Sequence, residues 1–126
     1  MGTRISLMDE RGEIAAVQNR APQFDVGANT DVMTGGQKAA CCMMLLRAMR
    51  PDVLAFDEIS APEDIEAIRI AAGCGVALLA TAHAQSVAAL RHRALYRALL
   101  DEHIFRRAVC IMRSDGERVY TVEDLT

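Results

Sequence analysis

Two short, uninterrupted apolar runs constrain the fold of this chain more than any other feature. They cover residues 53–56 and 76–80, and neither alternates with polar residues. Runs of this kind are typical of parallel strands that are buried on both faces of a sheet. Between them, residues 60–63 have the form of a helix-capping box, and Gly73 and Gly75 supply a stop. The segment therefore predicts a βαβ unit, which belongs to the α/β class of folds.

The part of the chain before this unit predicts one strand, one long loop and one helix. Residues 4–8 are a strand-like run near the start, so we expect the chain to be a piece of a longer protein. Residues 12–36 are polar and rich in glycine, and predict an irregular loop that is either functional or disordered. The Ala-, Leu- and Met-rich residues 37–49 predict a helix that ends before Pro51. Because this helix is apolar nearly all round, we expect the sheet to cover one side and another domain or subunit to cover the other.

The part after the βαβ unit predicts helices and a hairpin. Residues 85–102 predict one or two helices with a break near His92. An Asp-Gly pair at 115–116, between two apolar runs, is a strong signal for a β-hairpin. The expected architecture is one domain over residues 1–126, with a mainly parallel sheet flanked by helices and a C-terminal β-hairpin.

Composition and charge exclude several classes of protein. Aromatic residues make up 4% of the chain and hydrophobic residues 52%, so the core must be aliphatic. The net charge of −3 gives no electrostatic footprint for nucleic acid, and we expect no nucleic-acid partner. The apolar runs fall well short of the roughly 20 residues of a membrane span, and no signal peptide is recognisable. We therefore expect a cytoplasmic protein.

The cysteines have no spacing that suggests a metal site. Two of them are adjacent and the others lie inside apolar stretches, so no CxxC pair occurs. In a reducing compartment such thiols behave as small hydrophobic side chains, and we expect all of them to be buried. The cysteines are Cys41, Cys42, Cys74 and Cys110.

Residues that can carry chemistry gather where the predicted strands end. In open α/β sheets, ligands bind beyond the carboxyl ends of the strands. Phosphate chemistry needs a carboxylate for Mg²⁺ or its waters, a carboxylate that orients the attacking water, and a polar group near the γ-phosphate. Each candidate also has a structural interpretation, as a solvated loop start, a chance Asp-Glu pair or a hydrogen-bonded histidine. In strand order the candidates are Asp9, Glu10 and Glu13, then Asp57 and Glu58, then Thr81 and His83.

Several separated motifs occur in an order and spacing that resemble one family. They are ISLMDERGEI at 5–14, RPDV at 50–53, DEI at 57–59 and TAH at 81–83, followed by the predicted hairpin. Together they resemble the stage III sporulation protein AA family, which belongs to the type II/IV secretion ATPases. The resemblance extends over residues 5–120, nearly the whole chain.

The resemblance implies a RecA-like P-loop NTPase core. It implies that the complete protein hydrolyses ATP with Mg²⁺ as a ring of identical subunits, and that it powers export or assembly with secretion or sporulation components at a membrane. Asp57 and Glu58 resemble the Walker B pair. Asp57 would then bind Mg²⁺ through water, and Glu58 would polarise the attacking water or couple hydrolysis to movement.

The remaining candidates resemble two further motifs of the family. Asp9, Glu10 and Glu13 resemble the acidic box, which in secretion ATPases also supplies a catalytic carboxylate. Thr81 and His83 resemble the histidine box, which is placed to sense the γ-phosphate. The choice of catalytic base among Glu58, Glu10 and Glu13 stays open. So does the choice of the arginine that would reach a neighbouring subunit, for which the candidates are Arg11, Arg20, Arg47 and Arg113.

The sequence departs from the family pattern in two places that matter. No G-x-x-x-x-G-K-[ST] motif occurs in it, so the backbone nest and the lysine that bind the β- and γ-phosphates are missing. In the family this Walker A loop lies upstream. Ser60 and Ala61 stand where a glycine and an arginine are expected, and Ala84 replaces a glycine. We therefore expect a partial ATPase domain that alone binds ATP weakly or not at all, with no tightly bound cofactor.

Two other functions remain open on the sequence. The chain could be a non-catalytic interaction module of the same fold, which contacts partners through the loop 12–36 and the apolar helix. It could also be a metal-dependent hydrolase that uses Asp57, Glu58 and His83. A Walker A motif upstream in the complete gene product would favour the motor, and stoichiometric metal retained on purification would favour the hydrolase.

Overall fold

The computed structural model describes residues 2–9, 17–18, 21–22, 27, 29–34 and 38–126. Within this part the chain divides into two compact units, Met1–Ala82 and His83–Thr126. None of the helices described is long and apolar enough to cross a membrane. The elements, in chain order, are β1 (Ile5–Asp9), β2 (Val17–Gln18), β3 (Ala21–Pro22), β4 (Thr30–Thr34), α1 (Lys38–Met49), β5 (Val53–Phe56), α2 (Pro62–Gly73), β6 (Ala77–Ala80), α3 (Val87–Arg91), α4 (Ala94–Asp101), β7 (Arg107–Ser114) and β8 (Glu117–Asp124).

The first unit is built on a four-stranded parallel sheet. Its strand order is β4-β1-β5-β6, so β1 pairs with β4 on one side and with β5 on the other. β5 in turn pairs with β6, and α2 connects these two parallel neighbours. Parallel neighbours require a crossover of this length, so the predicted βαβ unit is confirmed. The two-residue strands β2 and β3 form a separate antiparallel pair.

The strand β4 corrects the long loop that the sequence predicts for residues 12–36. Thr30–Thr34 pairs in parallel with β1, from Ile5 opposite Thr30 to Asp9 opposite Thr34. The sequence TDVMT carries β-branched side chains at alternate positions, which favours a strand, but the glycines around it outweigh this signal. The pair β2–β3 also falls in this range. Apart from these strands, only Gly27 and Asn29 of the range belong to the described residues.

Alternation along the strands assigns the sheet residues to two faces. Leu54 and Phe56 of β5 are buried and face α1 and α2, which pack on the same side of the sheet. The opposite face carries a second buried cluster around Leu7 and Ala55. Because parallel neighbours in register share a face, β1 and β5 present matching rows of side chains on both sides. These inner strands are therefore held by packing on each face.

The helix α1 is covered on one side within the first unit. Cys41, Cys42 and Leu45 are buried, whereas Met44 is 58% exposed. This pattern agrees with the predicted packing against the sheet. A second cover, by another domain or subunit, stays a prediction.

The start of α2 differs from the predicted capping box. The Oδ2 atom of Asp64 accepts hydrogen bonds from the backbone N–H groups of Ser60 at 2.9 Å and of Ala61 at 3.0 Å. Ala61 occupies the N-cap position and its side chain has no polar atom, so it cannot cap the helix itself. The cap therefore comes from a buried carboxylate in the first turn of the helix, and not from Ser60 and Glu63.

In the second unit, the predicted break near His92 is confirmed. α3 ends at Arg91 and α4 begins at Ala94. The side chain of Arg97 donates to the carbonyl oxygens of Arg91 at 3.0 Å and His92 at 3.3 Å, which satisfies acceptors that the interrupted helix leaves open. The guanidinium of Arg93 also lies 4.6 Å from the centre of the Tyr96 ring.

The predicted β-hairpin is confirmed as well. β7 and β8 pair without interruption from Arg107 opposite Asp124 to Ser114 opposite Glu117. Both turn residues have positive φ, 51° at Asp115 and 80° at Gly116, as a type I′ turn requires. One face of the hairpin contributes to a cluster formed with residues of α3 and α4, whose buried members are Val87, Leu100 and Leu125.

The cysteines agree only in part with the sequence expectation. All of them belong to the described residues, and no disulfide joins them. Cys41 and Cys42 are buried in α1 and Cys110 is half-buried in β7, but Cys74 is exposed. Cys74 lies in the turn directly after α2, outside the packed face of that helix, so the expectation of four buried thiols was wrong at this position.

Candidate functional site

The carboxyl ends of the parallel strands bring oxygen-bearing side chains into one row. Asp9 and Thr34 are register partners at the ends of β1 and β4. Asp57 directly follows β5, and its N–H donates to the Met8 carbonyl at 3.3 Å, which extends the β1–β5 ladder by one residue. Thr81 directly follows β6, the neighbour of β5. Across the sheet the row therefore reads Thr34, Asp9, Asp57 and Thr81, and we call it the oxygen row.

The oxygen row belongs to the sheet face opposite α1 and α2. Phe56 faces the helices, so alternation turns the next residue, Asp57, to the other face. Asp9 lies on this same face, because its neighbour Met8 is the register partner of Phe56 and faces the helices. Neighbouring strands lie about 4.8 Å apart, so the two carboxylates start from adjacent positions. Two adjacent carboxyl groups supply oxygen atoms of the kind that a hard cation prefers as ligands.

The members of the site differ in their exposure. Asp9 is completely buried, at 0% exposure. Asp57 and Glu58 are half-buried, and the Oδ1 atom of Asp57 is itself buried. Thr81 and His83 are exposed. A ligand that arrives from solvent would therefore meet Thr81, Asp57 and Glu58 before Asp9.

Some of the remaining sequence candidates fall in parts of the chain that the structure does not describe, and His83 belongs to the second unit. Glu10 and Glu13 lie outside the described residues, as do Arg11 and Arg20. His83 opens the second unit, where its carbonyl oxygen accepts a hydrogen bond from the Arg93 side chain at 3.1 Å. The structure thus brings Asp9, Asp57 and Thr81 together.

The donor chemistry of the oxygen row suits one class of metal ion. Carboxylate and hydroxyl oxygens are hard ligands, which Mg²⁺ prefers over the nitrogen and sulfur ligands that Zn²⁺ selects. Mg²⁺ in phosphate sites keeps several waters and takes one or two carboxylates together with substrate oxygens. Among the described residues, no three His, Cys, Asp or Glu side chains form a group that could hold a metal ion. The arrangement fits a water-bridged Mg²⁺ better than a dedicated metal cage.

A comparison with known families identifies the group of proteins to which this chain is related. The family model described as "Sporulation stage III, protein AA" matches residues 1–123. The chain belongs to this family. Stage III sporulation protein AA of Bacillus subtilis (strain 168) is 34% identical over 113 residues, which cover 90% of this chain and 37% of that protein. The chain therefore spans a little over a third of the length of this curated relative.

A solved structure supports the fold of this member of the sporulation stage III protein AA family. The crystal structure of the VirB11 ATPase from the Brucella suis type IV secretion system, in complex with sulphate, matches with a TM-score of 0.63 and 18% identity. The match covers 97% of this chain and 41% of that chain. The expected secretion-ATPase fold, with its parallel sheet, flanking helices and C-terminal hairpin, is confirmed.

One member of the oxygen row was missed by sequence reasoning. Thr34 ends β4, which falls inside the loop that the sequence predicts for residues 12–36. The alternating Thr30, Val32 and Thr34 are the signal that could have revealed both the strand and its terminal hydroxyl.

Proposed function

We propose that this chain is the carboxylate-bearing part of an ATP-hydrolysing motor of the secretion and sporulation type. The observation that carries the proposal is the oxygen row at the carboxyl edge of a parallel sheet, with Asp57 beside Asp9 and Thr81. In open α/β sheets this edge is where ligands bind. The relation to a sporulation protein and the fold shared with a secretion ATPase support the same interpretation.

In this proposal Asp57 and Glu58, at the end of β5, have two different roles. Asp57 would hold Mg²⁺ through water, and the metal would neutralise charge on the phosphate oxygens. Glu58 would orient and polarise the attacking water. Both side chains are half-buried, which limits their motion and leaves them accessible to a ligand. Their position after an inner strand gives them a rigid support.

The other candidates have supporting roles in the proposal. Thr81 and His83 would sense the γ-phosphate through hydrogen bonds from exposed polar groups. Asp9, completely buried, would act on the site mainly by orienting its neighbours. The catalytic carboxylate is one of three acidic residues, Glu58, Glu10 and Glu13.

The complete protein would work as a ring of identical subunits. It would act in the cytoplasm, at the membrane through secretion or sporulation components, without a nucleic-acid partner. A ring of this kind uses an arginine that reaches the phosphate of the neighbouring subunit. Among the described candidates for this arginine, Arg47 and Arg113 are both exposed.

The chain alone should bind nucleotide poorly, because its sequence lacks the loop that cradles the phosphates. That loop supplies several charge-assisted hydrogen bonds, each worth about 1.5–3 kcal/mol. Titration of Mg-ATP into this chain by calorimetry should show no binding in the low-micromolar range. Low-micromolar affinity would contradict the expectation that nucleotide binding needs an upstream phosphate-binding loop in addition to this chain.

The activity itself is tested in the complete gene product. Steady-state ATP hydrolysis should fall by roughly 100-fold or more in Asp57→Asn and in Glu58→Gln, because each removes a charge that acts in the transition state. Glu63→Gln is the matched control, since Glu63 is an exposed carboxylate in the first turn of α2. The control should hydrolyse ATP at the wild-type rate. Full ATPase activity in Asp57→Asn would contradict the proposal.

A non-catalytic interaction module of the same fold is the second candidate. The complete burial of Asp9 favours it, since a buried carboxylate in a strand can serve the fold instead of a reaction. The complete gene product distinguishes the two candidates, because a module would show no ATP hydrolysis above background that depends on Asp57 or Glu58.

A further inference from the structure

The β7–β8 hairpin leaves four large apolar side chains exposed side by side. The cross-strand pairs are Val109 with Val122 and Ile111 with Tyr120. Each of these side chains is between 59% and 67% exposed. On the other face, Ala108 and Cys110 of β7 pack against the cluster of α3 and α4, so we call the face with Val109, Ile111, Tyr120 and Val122 the open face. Contiguous apolar surface of this kind commonly marks an interaction site.

Charged residues flank the apolar part of the open face at both ends. Arg107 lies opposite Asp124 at one end, and Arg113 lies opposite Arg118 at the end next to the turn. A pair of opposite charges across a hairpin is favourable, whereas two like charges directly opposite each other destabilise it. A carboxylate placed beside the Arg113–Arg118 pair would relieve the repulsion between its two positive charges.

In the part of the chain that the structure describes, no strand other than β7 pairs with β8. Leu125 donates its N–H to the carbonyl of Arg106 at 2.8 Å, and the tight turn pairs Ser114 with Glu117. Hydrogen-bonded pairs alternate with non-bonded pairs along an antiparallel ladder. Because Glu117 and Leu125 belong to bonded pairs, the odd-numbered residues of β8 bond to β7. The even-numbered residues direct their N–H and C=O groups outward. A long exposed edge of this kind is a template for strand addition. The outward residues are Arg118, Tyr120, Val122 and Asp124.

We propose that β8 pairs antiparallel with β8 of a second copy of this chain, around a two-fold axis at Thr121. In this register Arg118 lies opposite Asp124 of the second copy, and Tyr120 lies opposite Val122 of the second copy. The symmetry repeats both pairs. All four positions are outward ones, so their backbone groups form the new hydrogen bonds. The two open faces then join into one apolar block with ion pairs at both ends.

Charge complementarity favours this edge and this register over two alternatives. An axis at Tyr120 instead of Thr121 would place Glu117 opposite Glu123 of the second copy. Pairing of β7 with its own copy around Cys110 would place Arg107 opposite Arg113 of that copy. Like charges directly opposite each other are unfavourable in both cases. The contact is isologous and independent of the proposed ATPase activity, and it differs from the head-to-tail contact that builds a ring.

The first experiment measures association of the wild-type chain. A contact made by one strand and one narrow face buries less than a standard interface, so we expect a weak dimer with a Kd on the order of 10–100 μM. Sedimentation equilibrium over roughly 1–500 μM should fit a monomer–dimer model. A monomer over this whole range would overturn the proposal.

A charge reversal then tests the register. Arg118→Asp puts a carboxylate opposite Asp124 of the second copy at both ends, and should raise the dimer Kd roughly tenfold or more. The same change relieves the repulsion with Arg113, so the fold should be at least as stable, which thermal unfolding checks. Arg113→Asp is the matched control, with the same change of charge on β7, away from the new contact. A wild-type Kd in Arg118→Asp would overturn the proposal, as would an equal loss in Arg113→Asp.

A mixture of two charge-reversal variants provides the final test of the register. Asp124→Arg alone should also dimerise poorly, because two arginines then face each other across the two-fold axis. An equimolar mixture of the Arg118→Asp and Asp124→Arg proteins restores opposite charges at both ends and should form a heterodimer with a Kd near that of the wild type. A mixture that associates no better than either variant alone would overturn this register.

Discussion

β5 consists of apolar residues and β8 carries three large ones, yet the fold uses them in opposite ways. β5 is an inner strand of the parallel sheet, and three of its four residues are buried. β8 is one of two strands in a hairpin, and all of its residues are exposed. The apolar residues of β5 are consecutive because side chains on both faces of the strand are buried, whereas β8 mixes apolar and charged residues. Burial therefore stabilises the first unit, while the hairpin keeps apolar surface available for contact.

The same comparison explains where the candidate site lies. Asp9 and Asp57 come at the ends of β1 and β5, which are packed on both faces and held by ladders on both edges. Side chains at the ends of such strands keep a fixed geometry, as phosphate chemistry requires. An exposed hairpin lacks this support and is better suited to association than to catalysis.

The largest expected difference between the two regions is in the cost of truncating a side chain. Leu54→Ala removes a side chain that is 1% exposed beneath α1 and α2, and should lower the free energy of unfolding by about 2–5 kcal/mol. Val122→Ala on the open face should change it by less than about 0.5 kcal/mol. Urea denaturation followed by circular dichroism at low protein concentration measures both. Equal losses of unfolding free energy in Leu54→Ala and Val122→Ala would contradict the difference between β5 and β8.

A smaller effect is expected at the start of α2, where a buried carboxylate caps the helix. Asp64→Ala leaves the N–H groups of Ser60 and Ala61 without their acceptor, and should cost about 1–3 kcal/mol. Glu63→Ala, one residue earlier and exposed, should cost less than about 0.5 kcal/mol. The same denaturation experiment compares them. If Asp64→Ala were as harmless as its control, the cap would have no energetic role.

Two glycines should respond to alanine with opposite signs. Gly116 has a φ of 80° in the hairpin turn, so Gly116→Ala should destabilise the chain by about 1 kcal/mol. Gly73 ends α2 with open space around it, and Gly73→Ala should stabilise by about 0.4–1 kcal/mol. Thermal unfolding of the two variants measures the difference. Stabilisation by Gly116→Ala would show that the turn is not of the type described here.

The smallest effect concerns Asp124, at the exposed end of β8. Hydrogen bonds from the backbone N–H and then from the hydroxyl of Thr126, with a contribution from Arg107, hold the pKa of Asp124 below its ordinary value of 3.8. Its contribution to stability is therefore present above pH 3.8 and is lost as the pH falls through the lower pKa of the folded chain. An NMR titration of the Asp124 carboxyl should give a midpoint below 3.8, and a midpoint above it would contradict this account.

The sequence predicted those parts of the fold that depend on local patterns. The run 53–56 revealed β5 because short runs of consecutive apolar residues are typical of strands buried on both faces. The Asp-Gly pair revealed the hairpin because few residue types accept the positive φ that its turn requires. β4 was missed because the glycines around it outweighed the weaker alternation of Thr30, Val32 and Thr34. The cap by Asp64 was also missed, since the sequence Ser60 to Glu63 offered a more familiar alternative.

The candidate site was predictable to a similar extent. The rule that ligands bind at the carboxyl ends of parallel strands selected Asp9, Asp57 and Thr81 before the sheet order was known. The complete burial of Asp9 could not be predicted, because it depends on how the strands pack with the rest of the fold. The same holds for Thr34, whose place in the oxygen row depends on the pairing of β4 with β1.

In the proposed function, Asp57 would stand beside the Mg²⁺ of a nucleotide bound at the carboxyl edge of the sheet. A crystal structure of the complete gene product with Mg²⁺ and a non-hydrolysable ATP analogue measures this directly. The account predicts that the Asp57 carboxylate accepts a hydrogen bond of about 2.5–3.0 Å from a water bound to Mg²⁺. A nucleotide bound away from the oxygen row, with Asp57 far from the metal, would contradict it.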